Sequence, residues 1–351
     1  MASPLILSLD AMGGDLGPPV VVGGVADWLK RRDDGVTRFL LHGDQAAIEA
    51  ELRKHPEVAA RSEVWPAEKV IAGDEKPAQA MRRGKGSSMW NAIEAVKDGR
   101  ASAAVSAGNT GALMAISKLR LRMSAPGLER PAIVASWPTL KGVTAVLDVG
   151  ANVESDAEQL LDFAIMGAAF HQAVHGSQTP TVGLLNIGSE DVKGHDEVRE
   201  AAAILRASDL VAYHGFVEGD DIAKGTVDVV VTDGFTGNIA LKTAEGTARF
   251  INALLREALT SGIQSKLGAA LAMPALRKMA QKIDPSAING GPLLGLNGIV
   301  VKSHGGADAR GFGNAIRIAA ELGRSDYLDK VGASLGRVAG LVKAGAQESS
   351  K

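Results

Sequence analysis

The sequence predicts an α/β protein, a three-layer α/β/α sandwich around a mostly parallel, Rossmann-like sheet, with a helical hairpin protruding from it. Three observations carry the prediction. Short apolar runs rich in β-branched residues alternate with helical periodicity along the chain, as strands covered on both faces require. Polar, glycine-containing segments follow those runs where the next helix begins, and in parallel α/β sheets such strand ends line the ligand crevice. Residues 239–259 and 263–283 break the alternation with two consecutive amphipathic patterns.

The elements follow in order. Residues 5–9 form an apolar strand ending in Asp10-Ala11-Met12-Gly13-Gly14-Asp15, before a helix that Pro18 and Pro19 open. Asp10 and Asp15 read equally as turn caps and as a site for cations or donors. Residues 39–44 are the next strand end, leading into a helix over 45–54, and residues 63–70 read as a short edge strand. Residues 81–100 read as a basic loop and then a helix capped at Ser87 or Ser88. Arg82, Arg83 and Lys85 precede that helix, either as a solvated loop or as a landing patch for an acidic partner.

Strand 103–105 leads through Ser106-Ala107-Gly108-Asn109-Thr110-Gly111 to a helix reaching about Leu121. Strands 133–136, 143–149 and 181–185 follow, with an alanine-rich helix over 156–173 and another helix from Glu197. Residues 213–222 read as a polar, glycine-broken segment, and residues 299–302 as the last strand, ending in Ser303-His304-Gly305-Gly306. No linker interrupts the series. We therefore expect residues 1–345 to form a single unit of two lobes around a central crevice, with 239–283 inserted as the hairpin and 346–351 as a frayed tail.

The chain centres on residues 227–242, VDVVVTDGFTGNIALK. Four valines make a buried strand, the glycines of Thr232-Asp233-Gly234-Phe235-Thr236-Gly237 let the backbone turn, and a helix is expected from Asn238. The earlier segment 106–111 matches 232–237 as S/T-x-G-x-T-G. A hydroxyl at a strand end, free turn amides and a helix N-terminus together make an anion site. The alternative is a pair of ordinary βα turns with capping threonines.

Totals exclude several functions. Lys+Arg 38 against Asp+Glu 40 gives a net charge of -2, which argues against a dedicated nucleic-acid binder. Cys is 0, which removes disulfides, cysteine-ligated zinc and cysteine nucleophiles, and fits a reducing, cytoplasmic setting. The first ten residues lack a basic leader region and read as a strand rather than a signal peptide. No run approaches the apolar length of a membrane span. The hairpin carries an apolar stripe at Ala244, Ala248, Ile251, Leu255 and Ala258, then Leu267, Leu271, Leu276, Met279 and Ile283 among Lys266, Arg277, Lys278 and Lys282, interrupted by Pro274. Such a segment suits an anionic membrane surface or a partner, and equally a dimer-forming or core-covering hairpin.

Six co-linear motifs resemble those of the PlsX family, the bacterial phosphate acyltransferases. They are DAMGGD (10–15), VSAGNTGALM (105–114), LDVGAN (147–152), NIGSEDVKG (186–194), DVVVTDGFTGNIALK (228–242) and LLGLNGIVVKSHGGAD (293–308). One departure is Pro292 after Gly290-Gly291, where the family more often has Ala. The resemblance implies transfer of a fatty acyl group from acyl carrier protein to inorganic phosphate, giving acyl phosphate for phospholipid synthesis. It also implies a fold related to phosphotransacetylase and isocitrate dehydrogenase, a homodimer, peripheral membrane association and a downstream glycerol-phosphate acyltransferase.

The chemistry of that reaction requires a held dianion, a polarised carbonyl and an exit for thiolate, with no redox cofactor or covalent intermediate, and it leaves metal use open. Ser106, Gly108, Asn109, Thr110 and Gly111, facing Thr236, Gly237 and Asn238, are the candidates for phosphate, with Asn152 and Asn186 from the neighbouring motifs. Lys193, Lys302 and His304 are candidate cations or donors for phosphate and the oxyanion, and Asp233 would orient one of them. Lys302 has the rival reading of a solvent-facing strand end, and His304 that of a strand terminator. Arg82, Arg83 and Lys85 would face the acidic carrier protein. Two other classes compete: a nicotinamide-dependent decarboxylating dehydrogenase, which lacks its G-x-G-x-x-G signature here, and a non-catalytic acyl or phosphate sensor. A phosphotransacylase acting on short acyl-coenzyme A is the alternative within the same chemistry.

Overall fold

Eleven strands form one sheet in the computed structural model, which describes residues 5–32, 34–125, 128–282, 289–333 and 335. In chain order they are β1 (Ile6–Asp10), β2 (Arg38–Gly43), β3 (Ser62–Pro66), β4 (Ala103–Ser106), β5 (Ala132–Pro138), β6 (Val143–Leu147), β7 (Thr181–Leu185), β8 (Ala212–Val217), β9 (Val229–Val231), β10 (Gly291–Leu294) and β11 (Ile299–Lys302). Across the sheet the order is β3-β2-β1-β4-β11-β10-β5-β6-β9-β7-β8.

The sheet is mostly parallel, as expected, but it reverses in the middle. Strands β3 to β11 are parallel neighbours, and so are β6, β9, β7 and β8. Between them, β10 is antiparallel to β11 and to β5, and β5 is antiparallel to β6. Three reversals leave the two parallel halves running in opposite senses, so their C-terminal ends leave the sheet by opposite edges. A twist of about 20–25° per strand swings one half well around relative to the other. The turns at 106–111 and 232–237 therefore follow strands of opposite sense.

Helices cover both faces. On one side lie α1 (Pro18–Arg32), α7 (Ala157–His175), α8 (Asp196–Ala207) and α12 (Ala309–Arg324), packed on Leu7, Leu9, Val134, Leu147 and Val231. On the other lie α5 (Ser88–Lys97) and α6 (Thr110–Leu121), packed on the alternate residues Ala104, Val146, Val230 and Val300. The period of two along each strand is what separates the two cores. Phe39, Phe163, Phe170 and Phe312 are fully buried, each worth roughly 1.5–3 kcal/mol against exposure.

The hairpin is α10 (Gly234–Thr260) and α11 (Ile263–Lys282). Its apolar stripe covers no core: Ile251 is 53% and Leu271 86% exposed. Pro274 lies inside α11 rather than ending it, because a proline removes one backbone hydrogen bond and a helix can bend past that loss. No helix among the described residues is long and apolar enough to cross a membrane. Ile283 and the tail 346–351 lie outside the described residues.

Other boundaries differ from expectation for local reasons. Arg82 and Arg83 stand in the last turn of a short helix, α4 (Pro77–Arg83), opened by its proline rather than in a loop. The polar segment 213–222 contains edge strand β8 and helix α9 (Gly219–Lys224), since an edge strand needs little apolar alternation. Helix α10 starts at Gly234, four residues early, because Asp233 caps it.

Candidate functional site

Three neighbouring strand ends build the candidate site. β1 lies beside β4, and β4 beside β11 with Lys302 opposite Ser106, so the loops that follow them stack on one another. Asp10, fully buried, accepts the Ser106 hydroxyl at 2.6 Å and the Met12 amide at 3.3 Å. Burial pushes its pKa up, while the Ser106 and Ser88 hydroxyls and two backbone amides pull it down. Ser106 Oγ also accepts the Gly108 amide at 3.0 Å. Gly13 lies against this pair, where a methyl group would reach within 2.6 Å of Asp10 Oδ2 and 2.8 Å of the Gly108 nitrogen. Asp15 donates its amide to the Gly305 carbonyl at 2.9 Å, which ties the first loop to the third.

Lys302 ends β11 with Nζ donating to the carbonyls of Ala107, at 3.3 Å, and Ser303. Burial lowers its pKa to about 8, against the opposing pull of Asp10 and Asp15 and with further help from Lys242 on α10. His304 is exposed. Its Nδ1 accepts the Gly306 amide at 3.1 Å, which leaves the ring proton of the neutral form on Nε2 as an outward donor. Asn289 holds this loop: Oδ1 accepts the His304 amide at 2.9 Å and Nδ2 donates to Ser303 Oγ at 2.8 Å. Asn314 in turn donates to the Asn289 carbonyl at 2.8 Å.

Helix α6 turns its N-terminal end to this site. Asn109 is its N-cap, with Oδ1 accepting the Ala112 amide at 2.8 Å. Its Nδ2 donates to Gly73 and Glu75 carbonyls at 2.6 and 3.3 Å. The Thr110 and Gly111 amides have no acceptor among the described residues, so the helix presents two free donors and its positive end. Beyond the Glu75 wall lies a groove of about 650 Å³ lined by Lys69, Val70, Arg82, Arg83 and Lys85. Among the described residues no three His, Asp or Glu side chains gather as a metal would need.

The second copy of the repeated motif is built differently. Asp233 Oδ1 accepts the Thr236 amide at 2.8 Å and Oδ2 the Thr236 hydroxyl at 2.7 Å, so it orients its own helix and none of the three candidate cations. The Gly234 amide goes to the Asn152 carbonyl at 2.7 Å and the Gly237 amide to the Asp233 carbonyl at 3.0 Å. One helix is thus capped by a neutral Asn with amides free, the other by a carboxylate with its amides largely used. No hydrogen bond joins the two turns among the described residues. Asn238 sits exposed, against Gly150.

Asn152 is 1% exposed, donating to Asp148 Oδ2 and the Pro131 carbonyl, and so braces a loop. Asp148 accepts the Ile133, Gly150, Ala151 and Asn152 amides in the same brace. Asn186 donates to the Lys193 carbonyl at 3.1 Å, and Lys193 pairs with Glu190 at 2.9 Å in an exposed loop after β7. These residues follow strands of the other half-sheet. Sequence reasoning missed Asn289, which the β10–β11 antiparallel pairing of Gly291 with Lys302 brings beside His304. It also missed Lys242, whose signal was its place on α10 one helical stripe from Phe235.

The fold is shared with the phosphotransacetylases. The phosphotransacetylase of Streptococcus pyogenes superposes with a TM-score of 0.62 at 18% identity, over 91% of this chain and 94% of that one. The EutD phosphotransacetylase of Staphylococcus aureus gives a TM-score of 0.59 at 15% identity, again over 91% and 94%. At those identities the likeness is one of fold. Residues 5–330 match the family model described as "Fatty acid synthesis protein". The "Phosphate acyltransferase" of Caulobacter vibrioides is 67% identical over 349 residues, 98% of this chain and 96% of the relative. That of Phenylobacterium zucineum is 58% identical over 339 residues, 96% and 95% of the two chains. The chain belongs to this family, the PlsX phosphate acyltransferases, and is an enzyme of the transferase class.

Proposed function

We propose that the protein moves a long-chain fatty acyl group from acyl carrier protein to inorganic phosphate by direct attack on the thioester. The carrying observation is the start of α6, where the unpartnered Thr110 and Gly111 amides meet the Lys302 side of the crevice. Phosphate rests on those amides and on the positive helix end. Lys302 supplies the compensating charge, and the outward Nε2–H of His304 hydrogen-bonds the carbonyl oxygen as it becomes an oxyanion. Ser106 and Asp10 act from behind, holding the turn in shape. The new C–O bond forms as the C–S bond breaks. The proton of the attacking hydrogen phosphate ends on the departing thiol, so the step balances without a cofactor. Orientation of two reactants supplies up to about 7–11 kcal/mol of such a barrier.

The acidic carrier docks at Arg82, Arg83, Lys85 and Lys69, which line the groove whose Glu75 carbonyl accepts from Asn109. The same reading includes a homodimer, a cytoplasmic enzyme touching the inner face of the membrane through the hairpin, and a glycerol-phosphate acyltransferase that consumes the acyl phosphate. The test is phosphate-dependent release of free thiol from acylated carrier protein and from short acyl-coenzyme A. Release from the carrier is expected, with reversal of Arg82 and Arg83 to Glu raising the carrier KM and its salt sensitivity. No phosphate-dependent release from either donor would sink the proposal.

A further inference from the structure

Helix α10 links the candidate site to an apolar surface that the reaction described above leaves without a role. Leu241 faces inward and joins the cluster that also holds Leu113, Met114 and Ile116 of α6, so both helices border one core on the same face of the sheet. At 100° per residue, Phe235, Ile239 and Lys242 fall within about 60° of one another, on a flank of α10 turned away from Leu241. Lys242, at the inner end of this flank, lies near enough to Lys302 to oppose its charge. One end of the flank therefore stands beside Lys302. Toward the start of α10, Phe235 is 61% and Ile239 51% exposed. Val153, 70% exposed, adjoins their foot, because the Gly234 amide donates to the carbonyl of Asn152 at 2.7 Å.

Large exposed apolar side chains grouped beside a polar centre mark a binding surface. Resting on the acyltransfer reading, we infer that Phe235, Ile239 and Val153 form the track on which the acyl chain of the bound thioester lies, and that this track sets chain-length preference. The track runs about 10 Å along the helix from Lys242 to Phe235, at 1.5 Å per residue. The three parts of the donor then take separate routes: carbonyl at Lys302 and His304, carrier arm through the basic groove beyond Glu75, and hydrocarbon along α10 toward its start. Each methylene covered by the track improves binding roughly fourfold.

Steady-state kinetics of Phe235→Ser and Ile239→Ser with hexadecanoyl and butanoyl carrier protein test this. Each variant is expected to raise the hexadecanoyl KM about tenfold relative to the butanoyl KM, and Phe235→Leu to restore most of the difference. Both side chains are exposed, so loss of fold is not expected to intervene. An equal change for the two donors overturns the track. A variant that dissociates a dimer in gel filtration while keeping the wild-type chain preference overturns it too, and assigns the stripe to a second copy of the chain. A wild-type protein that releases no thiol from either donor overturns the acyltransfer reading itself.

Discussion

Lys302 should make catalysis fail as the medium becomes alkaline, and earlier than an ordinary lysine would allow. Burial drops its pKa from 10.5 to about 8, which at about 1.36 kcal/mol per unit is roughly 3 kcal/mol against the charged form, less whatever the partial solvent access of the side chain returns. Only the ammonium can balance the phosphate charge. Above pH 8 the wild-type kcat/KM for phosphate is then expected to fall by roughly tenfold per unit. Lys302→Arg removes that descending limb, since a guanidinium stays charged, while lowering the plateau because its planar fork does not reproduce an ammonium. The sign on stability is opposite to that on activity. The penalty is absent above pH 10.5, grows as the pH falls and is complete below about 8, so Lys302→Met should be as stable as wild type, or more so, at pH 7. The assay is phosphate-dependent thiol release from pH 6 to 10, beside urea unfolding at pH 7. A descending limb at the same pH in Lys302→Arg would refute the assignment.

Asn109→Asp keeps a good N-cap but adds a negative charge beside the free amides of α6, so the phosphate KM should rise about tenfold with little change in melting temperature. An unchanged KM would remove α6 from the phosphate site. Gly237→Ala should destabilise the fold by 3 kcal/mol or more, on the order of a buried clash, because the methyl would overlap the Asp148 carbonyl oxygen. Gly246→Ala, on the same helix with nothing within 4 Å, should stabilise by up to about 1 kcal/mol. Urea midpoints of the two variants compare them, and equal shifts would contradict the packing around Asp148.

Much of the fold was legible because its signals are local. The valine-rich run before Thr232 is a strand wherever it pairs, and residues 299–302 and 181–185 are the strands β11 and β7 with the bounds expected. The start of α6 after the Ser106–Asn109 turn, its end at Leu121 and the protruding hairpin were readable from periodicity and capping chemistry. The open helix end after the first glycine turn was also a local property, since free amides and a neutral cap depend on a few adjacent residues.

Direction and company were not local. Nothing within residues 291–294 or 132–138 says that these strands run against their neighbours, because that follows from partners more than a hundred residues away in one case. Yet this reversal separates the two halves of an apparently repeated motif and sends them to opposite edges of the sheet. The repeat itself conceals a difference in capping: a neutral amide, Asn109, caps the first helix, while the Asp233 carboxylate caps the second. Asn289 and Lys242 gained their places near His304 and Lys302 from an antiparallel pairing and from the course of a long helix. Residue chemistry is carried by the chain itself, whereas which charges meet, and which are buried deeply enough to change, depends on contacts that exist only once the sheet has closed.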